Sequence, residues 1–205
     1  MDFKVNDYVL IKNDDKIYQI EYDNYGNIIN DGKGTLEYDE RNQLKKYKLK
    51  DNKMTRGEKA ESLFREGYNC SQAVVMAFAD KINLPPETVA LLSSPFGGGM
   101  GRLREVCGTV SGMFIVAGFF DGYSSPGAKS EKAKLYSLVQ TLADEFRKRN
   151  GSIICRELLG LTGNKFSPVP EERTEEYYKK RPCPELCRVS ADIAATVLGI
   201  DNRID

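Results

Sequence analysis

The 205-residue chain contains no histidine and no tryptophan. Without imidazole there is no Ser-His-Asp or Cys-His catalytic pair, and no haem or zinc site that depends on a His ligand. An excess of either charge is missing too. Thirty Lys and Arg balance thirty Asp and Glu, so no net field favours nucleic acid or an anionic membrane surface. The longest apolar run, Val110 to Phe120, is interrupted by Ser111, Gly112 and Gly118 and is too short to span a bilayer. The first residues hold no apolar stretch of the signal-peptide kind. The expectation is therefore a cytoplasmic protein.

Cysteine is scarce but present: Cys70, Cys107, Cys155, Cys183 and Cys187, an odd count. A cytoplasmic chain has no standing reason to hold disulfides. Its cysteines are catalytic, redox-active, metal-binding or simply buried. There is no Cys-x-x-Cys, so neither thioredoxin-like chemistry nor a zinc ribbon is indicated by adjacent thiols. Cys183 and Cys187 stand one helical turn apart, and Cys187 is read as core or as a spare thiol.

Two patterns of hydrophobicity divide the chain. Residues 1–53 alternate and are rich in Tyr, Ile and Val, with strands expected at Asp7–Ile11, Lys16–Tyr22, Gly34–Tyr38 and Gln43–Leu49. Asn13–Asp15, Asn24–Asn27 and Asn30–Gly34 supply turn chemistry between them. This reads as a small antiparallel meander or an SH3-like barrel, with an accessory or interaction role. The basic run Lys45 to Lys50 alternates with Tyr47 and Leu49, which suits a strand with one charged, wet face.

From residue 54 the period becomes helical, and residues 54–205 are expected to form an all-α domain. Overall the class is α+β. From Arg56, Ala60, Leu63, Phe64 and Gly67 recur at helical spacing, with Gly67 as the stop. Asn69 and Gln72 match a capping box and open a helix from Cys70 to about Lys81. Pro85 and Pro86 start a short helix to about Leu92. Cys107 to Phe120 reads as a buried helix, with Gly108 and Gly112 letting other backbones approach. Gly127 to Asn150 is amphipathic, with a stripe of Ala133, Leu135, Tyr136, Val139, Leu142, Ala143 and Phe146. Ser152 caps a short helix holding Cys155. Thr162 to Arg173 is loop-like, and Glu171 to Lys180 is an exposed helix. The last helix opens with Pro184 at its first position and Cys183 as its cap.

Four thiols therefore fall at or beside helix starts. Helix N-termini carry partial positive charge and unpaired N–H donors, which lower a thiol's pKa. If these ends converge, two or more acidic thiols would share one place. The glycine loop before Cys107, with Gly97, Gly98, Gly99, Arg102 and Arg104, either seats an anion or serves as a connector. It has no Walker Lys-Ser/Thr and follows no clear strand.

Five pieces stand out along the chain: Ala60-Glu-x-Leu-Phe-x-x-Gly67-Tyr-Asn-Cys70-Ser-Gln-Ala-Val, Phe96-Gly-Gly-Gly-x-Gly, Cys107-Gly-Thr-Val-Ser-Gly112, Ser152-x-x-Cys155-Arg-Glu-Leu-x-Gly160 and Cys183-Pro-Glu-Leu. With them, residues from about Glu58 to Leu198 resemble the family named C_GCAxxG_C_C for its four cysteines, which is described as redox-active. Thr109 stands where the family usually has alanine, and Cys187 where it usually has an aliphatic residue. The resemblance implies a thiol redox protein with Cys107, Cys70, Cys155 and Cys183 as site residues.

Cys107 is taken as the lead thiolate, with one of the other three resolving it as a disulfide. The chemistry would be thiol–disulfide exchange or electron transfer with a redox partner protein or a small thiol. No cofactor is identified. One alternative keeps Cys70, Cys107, Cys155 and Cys183 as ligands of a metal or iron–sulfur cluster. Another makes the cysteines structural in an interaction protein. No nucleic acid or membrane span is expected, and a homo-oligomer is open.

Overall fold

Alternation in the first fifty residues becomes five antiparallel strands: β1 (Asp7–Asn13), β2 (Lys16–Tyr22), β3 (Ile28–Asn30), β4 (Gly34–Tyr38) and β5 (Leu44–Leu49). The structure is a computed structural model that describes residues 7–13, 16–22, 27–30, 34–40, 43–49, 53–163 and 166–204. Every described pairing joins strands adjacent in sequence, so the sheet order β1-β2-β3-β4-β5 is a meander. Of these five, β3 is the strand absent from the sequence reading. Its three residues lie between two stretches of turn chemistry and are too few to show alternation. Tyr38 donates its hydroxyl to the Ile28 carbonyl across this sheet at 3.1 Å. Most of the expected turn residues, and the polar stretch Lys50–Asn52, lie outside the described residues.

Residues 1–53 and 54–205 form two compact units. The second unit is closed at its start by β6 (Met54–Thr55), which pairs antiparallel with β7 (Arg203–Ile204) at its end. The α1 helix (Arg56–Glu66) follows at once. The Thr55 side chain accepts from the Glu58 N–H at 3.0 Å, and Glu58 accepts from the Thr55 N–H at 2.8 Å. Gly67, at φ +118°, ends the helix in the left-handed region that a side chain resists.

Arg56 is wholly buried. Its guanidinium donates to the Asp201 carbonyl at 2.8 Å, to the Ala77 carbonyl at 2.7 Å and to both oxygens of Asp80 at 2.6 and 3.0 Å. It also lies over the Phe78 ring at 4.8 Å. These contacts explain why α2 (Cys70–Met76) is shorter than expected. Arg56 takes the Ala77 carbonyl, and the chain leaves as a tight turn at Ala79–Lys81 instead of continuing the helix. The Asn69–Gln72 capping box is present as expected.

The remaining elements are α3 (Pro86–Ser93), a one-turn element α4 (Gly97–Met100), α5 (Gly108–Asp121), α6 (Lys129–Asn150), α7 (Cys155–Leu158), α8 (Glu175–Lys180) and α9 (Cys183–Leu198). The α5 helix is central and packs against α2, α6 and α9, while α1 lies along α9. Val74, Val110, Met113, Val116, Leu142, Phe146 and Ala194 are fully buried between them. Each buried Phe contributes about 2–3 kcal/mol through area removed from water.

The stripe expected on α6 is only half used. Leu142, Ala143 and Phe146 are buried, but Ala133 is exposed and Tyr136 is 55% exposed. At about 1.5 Å per residue this helix extends some 33 Å; Leu135 and Leu138 pack half-buried against the core, and full burial begins only at Leu142. Among the described residues no helix is long and apolar enough to cross a membrane.

Candidate active site: a cysteine-lined cavity at four helix starts

Each of the four motif cysteines stands at the beginning of a helix. Cys70, Cys155 and Cys183 are the first residues of α2, α7 and α9, and Cys107 is the residue before α5. For Cys183 this is one position further into the helix than expected, with Pro182 as the cap. All four line a single cavity of about 280 Å³. The structure records all five cysteines as free thiols.

Short backbone contacts hold these starts together. Val106 and Ile154 form an isolated antiparallel bridge. Beside it, the Cys107 N–H donates to the Ile153 carbonyl at 2.8 Å and the Cys155 N–H to the Glu105 carbonyl at 2.6 Å. The segments entering α5 and α7 are thus zipped side by side. Arg156 and Glu105 add a two-pronged ion pair at 2.9 and 3.2 Å on the outside. Against α2, α5 comes close because Gly108 lacks a side chain. A Cβ there would lie 2.4 Å from Cys70 Sγ and 2.7 Å from the Phe96 carbonyl oxygen.

The glycine loop is neither a right-handed helix nor an open connector. Gly98, Gly99, Met100, Gly101 and Arg102 all have positive φ, between 60° and 72°, and Arg104 follows at 62°. For L-residues this left-handed turn costs about 1–2 kcal/mol per non-glycine position. The turn places its atoms against the thiols. A Cβ on Gly99 would come 2.6 Å from Cys155 Cβ, and the Gly98 amide works to lower the Cys70 thiol's pKa. Other amides are used within the loop: those of Arg102, Leu103 and Glu105 donate to the carbonyls of Gly97, Met100 and Gly99. Gly97, Gly98, Arg102 and Arg104 line the cavity, while Gly99 backs Cys155 from behind.

The thiol environment departs from the expected acidic cluster. Burial pushes the Cys107 thiol up, and the neighbouring Cys70 adds to this; the Thr109 hydroxyl, 3.3 Å from Cys107 Sγ, works the other way. Burial likewise raises Cys70, with the Gly98 amide opposing. Cys183 is pushed up to about 12, first by burial and then by Cys70 and Cys155. The starts converge as expected, but loss of water and mutual repulsion outweigh the helix-end field. Cys107 is 5% exposed, whereas Cys183 is partly open. Cys187 lies outside the cavity wall, fully buried, and its thiol faces the Cys70 carbonyl at 3.9 Å.

Sequence reasoning missed the strap that covers the cavity. Glu171 and Arg173, from the stretch read as a loop, and Tyr177 and Arg181 complete the wall. Arg173 ties the strap to the end of α1, donating to the Phe64 carbonyl and, at 2.9 Å, to the Tyr68 carbonyl. No hydrophobic period marks this segment. The recurrence of arginine at 173 and 181 is the one local signal that could have drawn notice.

Four thiols without imidazole are a donor set suited to a soft metal or an iron–sulfur cluster. Yet no group of three or more ligating side chains with metal-binding spacing occurs among the described residues. Fold and site together define a helical domain whose helix N-termini deliver four cysteines to one arginine-bearing cavity. The family model described as "Putative redox-active protein (C_GCAxxG_C_C)" matches residues 68–197, and the chain belongs to that family. Comparison with curated proteins and with solved structures gives no match.

Proposed function

We propose that this protein performs thiol–disulfide chemistry with Cys183, Cys70, Cys107 and Cys155. The observation that carries this reading is the delivery of four free thiols, from four separate helix starts, to one cavity. Core cysteines would be scattered through the interior. These stand on one wall, two of them with polar or cationic contacts: Thr109 to Cys107 and Arg104 to Cys155 at 3.8 Å.

In this reading the entering thiol is Cys183, because it is the partly open one. Cys107 moves from lead to interior partner, since its burial disfavours a standing thiolate. Nearby guanidinium groups stabilise the thiolate of Cys183 when it forms: Arg181 and Arg104 both lower its pKa against the larger effect of burial. The oxidant is a small disulfide or the disulfide of a partner protein. A cytoplasmic setting fits such cycling between thiol and disulfide.

The test is anaerobic purification followed by metal analysis, a visible spectrum and thiol counting before and after mild oxidation. The expected result is a colourless, metal-free chain that loses thiols in pairs and recovers them on reduction. A coloured, metal-loaded protein would replace this reading with the metal-ligand one. Thiols that do not oxidise, with normal partner binding after serine replacement of all four, would leave an interaction protein with structural cysteines.

A further inference from the structure

One guanidinium at the cavity is short of partners. Arg104 is 4% exposed and lines the cavity. Its Nη1 faces Cys155 Sγ at 3.8 Å and its Nη2 lies 3.8 Å from Glu171. Its Nε has no hydrogen-bond partner among the described residues. A buried donor left in that condition costs about 1–3 kcal/mol, and here the donor belongs to a cation.

The neighbouring groups are committed elsewhere. Glu171, the only acidic side chain among the described lining residues, accepts from Arg181 on both oxygens at 2.6 Å and from Arg102 at 3.4 Å. Arg102 also donates to the Ser167 carbonyl at 2.7 Å, and Arg173 is taken by the carbonyls that anchor the strap. Four arginines against one carboxylate leave the cavity cationic, with Arg104 holding the unused capacity. A volume of about 280 Å³ suits a small molecule.

Resting on the thiol-redox reading above, we propose that Arg104 binds the carboxylate of a small disulfide, which Cys183 and Cys70 then reduce. Cys183 attacks as thiolate on one substrate sulfur. A bond forms between the two sulfurs, the substrate's S–S bond breaks, and the leaving half departs with the electron pair and takes up the proton Cys183 released. Cys70 then attacks Cys183 Sγ, forming the Cys70–Cys183 disulfide and releasing the second half as a thiol. Two electrons pass from the protein to the substrate, and no further reagent is needed for this turnover. Cys70 is assigned as the second thiol because it opens α2, which packs against α9, and its carbonyl lies 3.9 Å from the thiol of Cys187, one turn along α9 from Cys183.

The test uses the reduced full chain under anaerobic conditions with three probes: dithiodiglycolate, a dicarboxylate; hydroxyethyl disulfide, which is neutral; and cystamine, a dication. Each rate is divided by that probe's rate with free mercaptoethanol, which removes intrinsic reactivity. The dicarboxylate is expected to be preferred over the neutral probe by about tenfold at low salt. Added salt should erode that preference, and cystamine should be disfavoured. R104Q should lower the dicarboxylate-to-neutral ratio, and R104K, which keeps charge but loses the planar fork, should fall between.

Equal normalised rates for the three probes in the unaltered protein overturn the proposal, whether or not the variants fold. A dicarboxylate preference that R104Q leaves intact overturns the assignment to Arg104. Peptide mapping that finds a pair other than Cys70–Cys183 overturns that pairing. Failure of all three probes to react overturns the thiol–disulfide reading itself, not this inference alone.

Discussion

Replacing Gly108 by alanine tests the link between helix packing and the cysteine cavity. The new Cβ would meet Cys70 Sγ at 2.4 Å, the Phe96 carbonyl oxygen at 2.7 Å and the Ser71 amide nitrogen at 3.3 Å. Contacts of this kind settle near 3.5–4.0 Å, so the closest is short by about 1 Å. Two of the three atoms are backbone and cannot rotate away. The helices must part, at about 1–3 kcal/mol, which exceeds the roughly 0.5–1 kcal/mol that alanine gains over glycine inside a helix.

Two other glycines on α5 calibrate the result. At Gly112 a Cβ would lie 2.9 Å from Val74 Cβ, so G112A should also destabilise, through the core and away from the cavity wall. At Gly118 nothing lies within 4 Å, so G118A should stabilise by about 0.5–1 kcal/mol. Urea unfolding ranks the three, and the rate of disulfide formation separates G108A from G112A. A G108A protein as stable as G118A, with unchanged thiol chemistry, would refute the close-approach argument.

Arg56→Ala should lower stability by about 3 kcal/mol in urea unfolding, because it removes a buried cation with four hydrogen bonds. Asp80→Asn should cost less, since Asp80 is half exposed. The Arg56 hydrogen bond holds the Asp80 carboxyl below its usual value. That stabilisation is complete above about pH 4 and is lost as pH falls through the lower folded value, so D80N should flatten the acid limb. Substoichiometric alkylation should label Cys183 first, and labelling that begins at Cys107 or Cys187 would contradict the burial order. The buried thiols give an alkaline limb of the opposite sign. Below about pH 8.5 both folded and unfolded thiols keep their protons. Above it the unfolded chain ionises first, so stability should fall as pH rises toward the folded value of about 12 for Cys183. Thr109→Ala removes the hydroxyl beside Cys107 Sγ and should slow Cys107 alkylation at a given pH. Unchanged labelling would show that this contact does not tune the thiol.

Local chemistry was legible wherever its cause was local. The Asn69–Gln72 box, the left-handed stop at Gly67 and the proline start of α3 sit where their residue types require them. Strand β3 was not legible, because three residues cannot display a period of two. The exposed half of the α6 stripe was misjudged for a different reason. Amphipathicity tells which face is apolar but not how far along the helix the core extends.

For the site, the amino-acid sequence by itself determined that no imidazole takes part and that four cysteines stand at or beside helix starts, one after a glycine loop. Those follow from residue type and spacing. That the four starts meet in one cavity was decided by tertiary structure, through the Val106–Ile154 bridge and the bare faces of Gly99 and Gly108. So was the direction of the thiol pKa values. A helix N-terminus acts through its own first turn, whereas loss of water comes from every element packed around the sulfur. Burial is a property of the assembled chain, and it turned an expected acidic cluster into one with a single partly open thiol.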